Sequence, residues 1–252
     1  MRNLVLSVLA LISFIDPLSA EVVVFQDSFD GSSLDSSKWN SLLPFSDSSV
    51  SVGGGAVNLV ARGTIVTKTS FTTPYTLTGS FINQNNTDHS AYSVFQIYFR
   101  TSGNYIPLDI YKSLDGFNIS FWPMTAVGGQ EAIFLAIDNR ESPYGETKTR
   151  TLEGKPFQLT TGREYFFSLT DSGTGFTFDV DGQRIFDYTS SVSFGNKIGF
   201  ASRETLVFTG SDYTGDVLVN GVQVSVPEPS SFSLLLIGVA GVASRRLLKR
   251  RS

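Results

Sequence analysis

Between residues 21 and 226 apolar and polar residues alternate in short runs, broken by Gly, Asp, Ser and Asn. Alternation with a period of two turns successive side chains to opposite faces of a strand, so such runs predict β-structure. No stretch in this region sustains the 3.6-residue apolar period of a helix. The runs predict strands at Glu21–Phe25, Val57–Ala61, Tyr75–Ile82, Ser93–Thr101, Pro107–Lys112, Phe117–Trp122 and Glu131–Ile137. Further strands are predicted at Glu164–Thr170, Gly175–Val180, Arg184–Tyr188, Asn196–Ala201 and Val217–Val226. Asp171-Ser172-Gly173 and Asp181-Gly182 predict hairpin turns, because Asp and Gly tolerate positive φ. Tyr165 to Tyr188 is then a three-stranded meander. Many short strands without helices suit a sandwich or a barrel. No internal repeat or long linker divides residues 21–226, so they are expected to form one all-β domain.

The two ends differ from the middle. Met1-Arg2-Asn3 is a short positive segment, Leu4 to Ile15 is an apolar run, and the small residues Ser19 and Ala20 follow. This order predicts a signal helix over residues 1–20, cleaved after Ala20. At the other end Val226-Pro227-Glu228-Pro229 precedes the apolar run Phe232–Ala243 and the basic residues Arg245, Arg246, Lys249, Arg250 and Arg251. The two prolines fix φ and hold the peptide around Glu228 extended. The apolar run predicts a short transmembrane helix, and the basic end resists translocation. Twelve residues fall short of the roughly 20 of a full span. Seven of them are Phe, Leu, Ile or Val, so the insertion energy sums to only about −2 to −4 kcal/mol. This tail, residues 227–252, resembles the PEP-CTERM sorting signal, with Pro227, Glu228 and Pro229 as its motif. The resemblance implies an exosortase-type processing enzyme as partner and contact with the membrane through the tail before processing.

Charge and cysteine content narrow the middle further. Of 19 basic residues, Arg2 and the five of the tail lie outside residues 21–226, leaving 13. Of 23 acidic residues, Asp16 and Glu228 lie outside, leaving 21 and a formal charge of −8. A negative surface argues against nucleic acid as a partner. With no cysteine in the chain, thiol catalysis and cysteine metal sites are excluded, and an exported domain must be held by its core alone.

Phe25-Gln26-Asp27-Ser28-Phe29-Asp30-Gly31, followed by Leu34-Asp35 and Lys38-Trp39, resembles the opening of concanavalin A-like lectin/glucanase jelly rolls. Tyr75-Thr76-Leu77-Thr78-Gly79-Ser80-Phe81 resembles their early outer strand, and the meander with Lys197-Ile198-Gly199-Phe200 resembles their later sheet. The resemblance implies a jelly-roll β-sandwich; an immunoglobulin-like sandwich is the alternative. Glucanases of that fold carry a Glu-x-Asp-x-x-Glu strand whose carboxylates meet in one cleft as nucleophile and acid/base. That motif is missing here. Glu131 is followed by six apolar residues before Asp138, Glu141 and Glu146 flank Pro143 and Gly145, and Asp181 is needed at a turn. The single histidine, His89, sits in a polar run without a partner for a Ser-His-Asp set. Gly53-Gly54-Gly55 lacks the Lys-Ser/Thr of a phosphate loop and predicts a turn.

A binding surface has more support. Strand alternation sets Phe95, Ile97 and Phe99, and Phe117, Ile119 and Phe121, toward the core. The opposite parity, with Asp109 and Tyr111 of the strand between, puts Gln96, Tyr98, Arg100, Asp109, Tyr111, Asn118 and Trp122 on one outer face. Flat rings beside fixed amide, carboxylate and guanidinium groups are the make-up of a sugar site. Asp27, Asp30, Asp212 and Asp216, near the two ends of the domain, are candidate ligands for a structural calcium. No other cofactor is expected. The reading is an exported, exosortase-sorted, non-catalytic β-sandwich that binds polysaccharide at the cell surface or in an extracellular matrix. The alternative is a divergent carbohydrate-active enzyme of the same fold.

In a host with the matching enzyme, mass spectrometry of the exported protein is expected to find its C-terminus close to Val226. Recovery of the intact Arg-rich end would leave only a simple anchor.

Overall fold

The alternating runs become fifteen strands that hydrogen-bond into two antiparallel sheets. The computed structural model describes residues 21–44, 48–84, 95–104, 114–122, 132–139, 148–202 and 216–228, with the backbone alone at 122, 138, 139 and 148–151. In chain order the strands are β1 (Glu21–Asp27), β2 (Trp39–Leu42), β3 (Ser49–Gly53), β4 (Ala56–Val60), β5 (Thr64–Thr67), β6 (Tyr75–Asn83), β7 (Phe95–Thr101) and β8 (Gly116–Trp122). They continue as β9 (Ala132–Asn139), β10 (Lys148–Pro156), β11 (Glu164–Asp171), β12 (Gly175–Val180), β13 (Gln183–Thr189), β14 (Lys197–Ser202) and β15 (Asp216–Pro227). The larger sheet runs β13-β12-β11-β6-β15-β4-β3, with β1 also paired to β15. The smaller runs β10-β9-β8-β7-β14-β5-β2.

Eleven of the twelve expected strands match these elements; Pro107–Lys112 lies outside the described residues. The meander is β11-β12-β13, and its second turn has Asp181 at φ 49° and Gly182 at φ 76°. Both residues are left-handed, as a two-residue hairpin turn of this hand requires. The Gly54-Gly55 turn between β3 and β4 is built the same way, at φ 64° and 81°. The expected signal helix and transmembrane helix, and with them Phe232–Ala243, fall outside the described residues. Among the described residues no helix is long and apolar enough to cross a membrane.

Residues Phe25–Val224 form one unit, whose core lies between the two sheets and is rich in aromatic rings. Phe81 of β6 meets Phe95 of β7 and Phe121 of β8, each at 4.6 Å between ring centroids. Phe95 stacks on Phe200 of β14 with the rings 6° from parallel. Phe176 of β12 meets Phe99 edge-on at 4.7 Å. Such geometries add to the area that each ring buries. At one end Trp39 is buried among Phe25, Phe29 and Phe200, and its indole Nε1 donates to Asp27 at 2.8 Å. The opening motif is therefore a structural latch: Asp27 accepts from the indole and from the Phe29 amide. The second unit includes the ends of β1 and β15; there Ser225 Oγ donates to Glu21 Oε2 at 2.6 Å.

One ion pair joins the sheets from inside. Arg100 of β7 closes a two-pronged contact on Asp171 of β11, Nε to Oδ2 at 2.8 Å and Nη2 to Oδ1 at 2.6 Å. Its Nη1 donates to the Ser190 and Val192 carbonyls. The guanidinium also lies 5.7 Å from the Phe117 ring centre and 5.9 Å from that of Phe176. Tyr75 sits beside this pair. Burial first, and then the Asp171 charge, push its phenol well above the usual tyrosine range, while Arg100 acts the other way.

Breaking the pair leaves a buried charge. Asp171→Asn is expected to cost about 3–5 kcal/mol, as is truncating the core ring in Phe121→Ala, both read from urea unfolding. Tyr75 holds its proton more tightly folded than unfolded. Its contribution to stability is therefore complete below about pH 10 and declines as pH rises beyond it. Tyr75→Phe should flatten that alkaline fall; an unchanged pH profile would contradict it.

Candidate functional site

The outer face of the smaller sheet is built at the β7–β8 pair. The register sets Tyr98 opposite Asn118 and Gln96 opposite Ser120. On the far side of β7, Gly199 faces Tyr98 and Ala201 faces Gln96. On the far side of β8, Ala136 faces Asn118 and Phe134 faces Ser120. Three small residues and Phe134 thus flank a polar centre. The room above Gly199 is taken by Leu114, since a Cβ there would lie 2.4 Å from Leu114 Cδ1. Leu114, Tyr98, Val66 and Ala201 form one apolar cluster against which Leu42 packs.

The polar centre is a directed chain of hydrogen bonds. Tyr98 Oη donates to Gln96 Oε1 at 2.6 Å, Gln96 Nε2 to Ser120 Oγ at 2.9 Å, and Ser120 Oγ to Asn118 Oδ1 at 2.8 Å. Each bond fixes the next. The phenol sets the orientation of the Gln96 amide, the amide sets the Ser120 hydroxyl, and the hydroxyl points to Asn118. All four side chains are buried, Tyr98 completely and Asn118 to within 2%. Burying an amide is costly unless it is bonded, and here both carbonyl and amino ends of Gln96 are engaged. These groups form a rigid floor and present little surface of their own.

The expected residues divide accordingly. Gln96, Tyr98 and Asn118 come together as the alternation predicts. Ser120, on the same parity, completes the chain and was not singled out. Leu114 has no alternation to reveal it, because it precedes the strand. Arg100 is a correction: it does not face outward. On β14 two steps separate Lys197 from Gly199, while three separate their partners Thr101 and Tyr98 on β7. The extra residue makes a bulge at Arg100, with φ 49°. A bulge breaks the alternation and re-aims the side chain, here between the sheets toward Asp171. Both the Phe194 and Gly195 amides donate to its carbonyl at 3.1 Å. Asp109 and Tyr111 lie outside the described residues, as does the side chain of Trp122.

Among the described calcium candidates, Asp30 and Asp216 are not brought together. Asp30 Oδ1 lies beside Gly55, before the start of β4, whereas Asp216 pairs with Val60 at its end. Asp27 is engaged by Trp39 and Phe29, and Asp212 lies outside the described residues. Burial pushes the Asp216 carboxyl up, with an Asn58 hydrogen bond opposing it. Among the described residues no group of three or more His, Asp or Glu side chains is arranged to hold a metal. Among the described side chains of the outer face there is no carboxylate; Asp179 and Asp181 pair with Arg184 and Arg163 on the other sheet. Of the sorting motif, Pro227 and Glu228 are exposed and Pro229 lies outside the described residues.

Residues 225–251 match the PEP-CTERM protein-sorting motif, which marks the chain as an exported, exosortase-sorted protein. No curated protein matches the chain by sequence. Among solved structures, an endo-acting O-glycanase from human gut bacteria is 15% identical over 82% of this chain and all of its own, with a TM-score of 0.57. LamA of Zobellia galactanivorans, solved with laminaritriose and laminaritetraose, is 12% identical over 81% of this chain and 99% of its own, at 0.55. The exoplasmic domain of VIP36, bound to calcium and mannose, is 13% identical over 74% and 82%, at 0.54. The structural neighbours are concanavalin A-like jelly-roll glycoside hydrolases and lectins, and at these identities the likeness is one of fold.

Cutting the chain in its middle tests the floor. Gln96→Leu leaves the Tyr98 hydroxyl and Ser120 without their partner and should cost about 1–3 kcal/mol. Adding Tyr98→Phe should recover part of that loss, because both ends of one bond are then apolar. Strict additivity in urea unfolding would show that the chain is not coupled.

Proposed function

We propose that this exported β-sandwich binds polysaccharide at the cell surface or in the surrounding matrix without cleaving it. The observation that carries the reading is the hydrogen-bonded chain Tyr98–Gln96–Ser120–Asn118 on the outer face of the smaller sheet. A sheet face covered only for stability favours apolar residues, since each buried polar group must find a partner. A floor of interlocked amides and hydroxyls instead gives rigid polar support to whatever lies above it. In a binding site such support keeps the ligand-facing groups in place before the ligand arrives.

The contact groups in this reading are Asp109, Tyr111 and Trp122, with Gln96, Tyr98 and Asn118 as positioning residues beneath them. Trp122 follows Ser120 by two residues on β8, the spacing that repeats one face of a strand. Jelly-roll neighbours solved with laminari-oligosaccharides and with mannose support a sugar as the ligand class. Sorting through the tail supports a site of action outside the cytoplasm, where polymers of this kind are met. A calcium held jointly by Asp27, Asp30, Asp212 and Asp216 is not part of the proposal, because Asp30 and Asp216 lie at the two ends of β4.

The second reading, a divergent carbohydrate-active enzyme, is favoured by the many hydrolases among the structural neighbours. Two carboxyl groups about 5–5.5 Å apart, or about 6.5–9.5 Å for inversion, would be needed. The two readings separate in one pair of assays. Release of reducing ends from polysaccharides, abolished by a single acid substitution, supports the enzyme; retention without release supports the binding protein.

For the binding protein, Trp122→Ala and Tyr111→Ala are each expected to weaken retention on the polysaccharide by tenfold or more, about 1.4 kcal/mol. The thermal midpoint should move little. A loss of stability as large as that of Phe121→Ala would place these rings in the core and remove the basis of the reading.

A further inference from the structure

We propose that the strand pair β1–β15 gates removal of the sorting tail: the processing enzyme takes the segment around Val226 and Pro227 only after it has peeled away from Glu21–Val24. The sorting motif does not wait for the fold to end. β15 runs unbroken from Asp216 to Pro227, so the matched residues 225–251 begin inside a strand. Ser225 is 2% exposed, whereas Pro227 and Glu228 are open to solvent. β15 pairs with β1, and Ser225 Oγ donates to Glu21 Oε2 at 2.6 Å. Glu21 thus holds the first residue of the motif from 204 positions away in the chain.

An enzyme that holds an extended peptide engages its main-chain N–H and C=O groups. In β15 some of those groups are already spent on β1, so the two pairings compete. The end of β1 is suited to yield. Residues 21–24 are all exposed, Val22, Val23 and Val24 by 40, 46 and 49%, whereas Phe25 is buried and Asp27 holds Trp39. Little apolar burial opposes the peeling of these four residues. The compact units divide at the same place: 21–24 and 225–228 fall in one, Phe25–Val224 in the other. A segment with few buried contacts opens locally at far lower cost than the whole domain unfolds. The Glu21–Ser225 bond is a specific contact that keeps the gate closed. Glu21 is therefore a positioning residue for processing, although it lies outside the motif.

Pulse-labelling of the full-length chain in a host that has the enzyme tests this, with loss of the Arg-rich end followed by mass spectrometry. Glu21→Ala removes the acceptor for Ser225 and should speed tail removal at least about threefold, the worth of one hydrogen bond. Glu21→Gln keeps an acceptor oxygen and should stay within twofold of the native rate. Val23→Pro takes a main-chain donor out of β1 and should act in the same direction as Glu21→Ala. Both positions lie outside residues 225–251, so neither change alters the motif itself. The same spectra read the N-terminus. If Glu21→Ala disturbs signal removal, Val23→Pro, which sits two residues further on, decides. Phe121→Leu weakens the sandwich core without touching the pair and should leave the rate within twofold. Unchanged or slower processing in Glu21→Ala and Val23→Pro overturns the inference. So does equal acceleration by Phe121→Leu, which would make global unfolding, and not the strand pair, the controlling step.

Discussion

The ion pair between Arg100 and Asp171 is the constraint on which several parts of this sandwich depend. It ties the middle of one sheet to the middle of the other, across a core otherwise packed with aromatic rings and aliphatic side chains. Both partners are shielded from water, so their charges must be met within the protein. Arg100 answers with its whole guanidinium: two prongs on Asp171, two carbonyls of the 190–192 segment, and flanking phenyl rings. Asp171 also accepts from the Gly173 amide, so the same carboxylate shapes the β11–β12 turn. The left-handed backbone at Arg100 is costly for a residue that carries a Cβ, of order 1–3 kcal/mol. It persists because the amides of Phe194 and Gly195 and the buried carboxylate all require it.

The rest of the core follows from the absence of cysteine. A domain that leaves the cytoplasm without disulfides has only burial and hydrogen bonding to hold it. The chain meets this with phenylalanine from both sheets, and the largest rings are completely buried. Several of the carboxylates that enter the interior are partnered. Asp115 accepts from Thr101 and Ser102 at the β7–β8 junction, and Asp27 accepts from Trp39. The acidic residues of the opening motif therefore serve the fold first.

The same bulge that forms the ion pair also determines the chemistry of the outer face. By turning Arg100 inward it leaves Gln96, Tyr98, Asn118 and Ser120 as a neutral, self-satisfied chain. One local break in strand alternation thus separates a stabilising device from a polar floor. The two sides of β7 have different duties, and neither can be altered at Arg100 without touching the other.

Much of this was legible in the sequence. Long alternating strands such as β6, β7, β8, β11 and β12 were read correctly, because a period of two with one buried face leaves a clear trace. So were the Asp-Gly and Gly-Gly turns, where positive φ selects the residue type, and the sorting tail, whose three parts have separate compositions. The short strands were not visible. Thr64–Thr67 and Trp39–Leu42 have four residues each, too few to show a period, and Lys148–Pro156 is a polar edge strand that reads as a loop. The pairing of Gln96 with Tyr98 and Asn118 followed from parity, but the direction of the hydrogen bonds and the burial of the floor came from neighbouring strands. Arg100 marks the boundary. Sequence carries the alternation that would turn it outward. Only the register between β7 and β14, fixed by packing at long range, inserts the extra residue that turns it in. Local pattern decides which segments become strands and which residues share a face; tertiary pairing decides where that pattern is broken, and hence which charges turn inward.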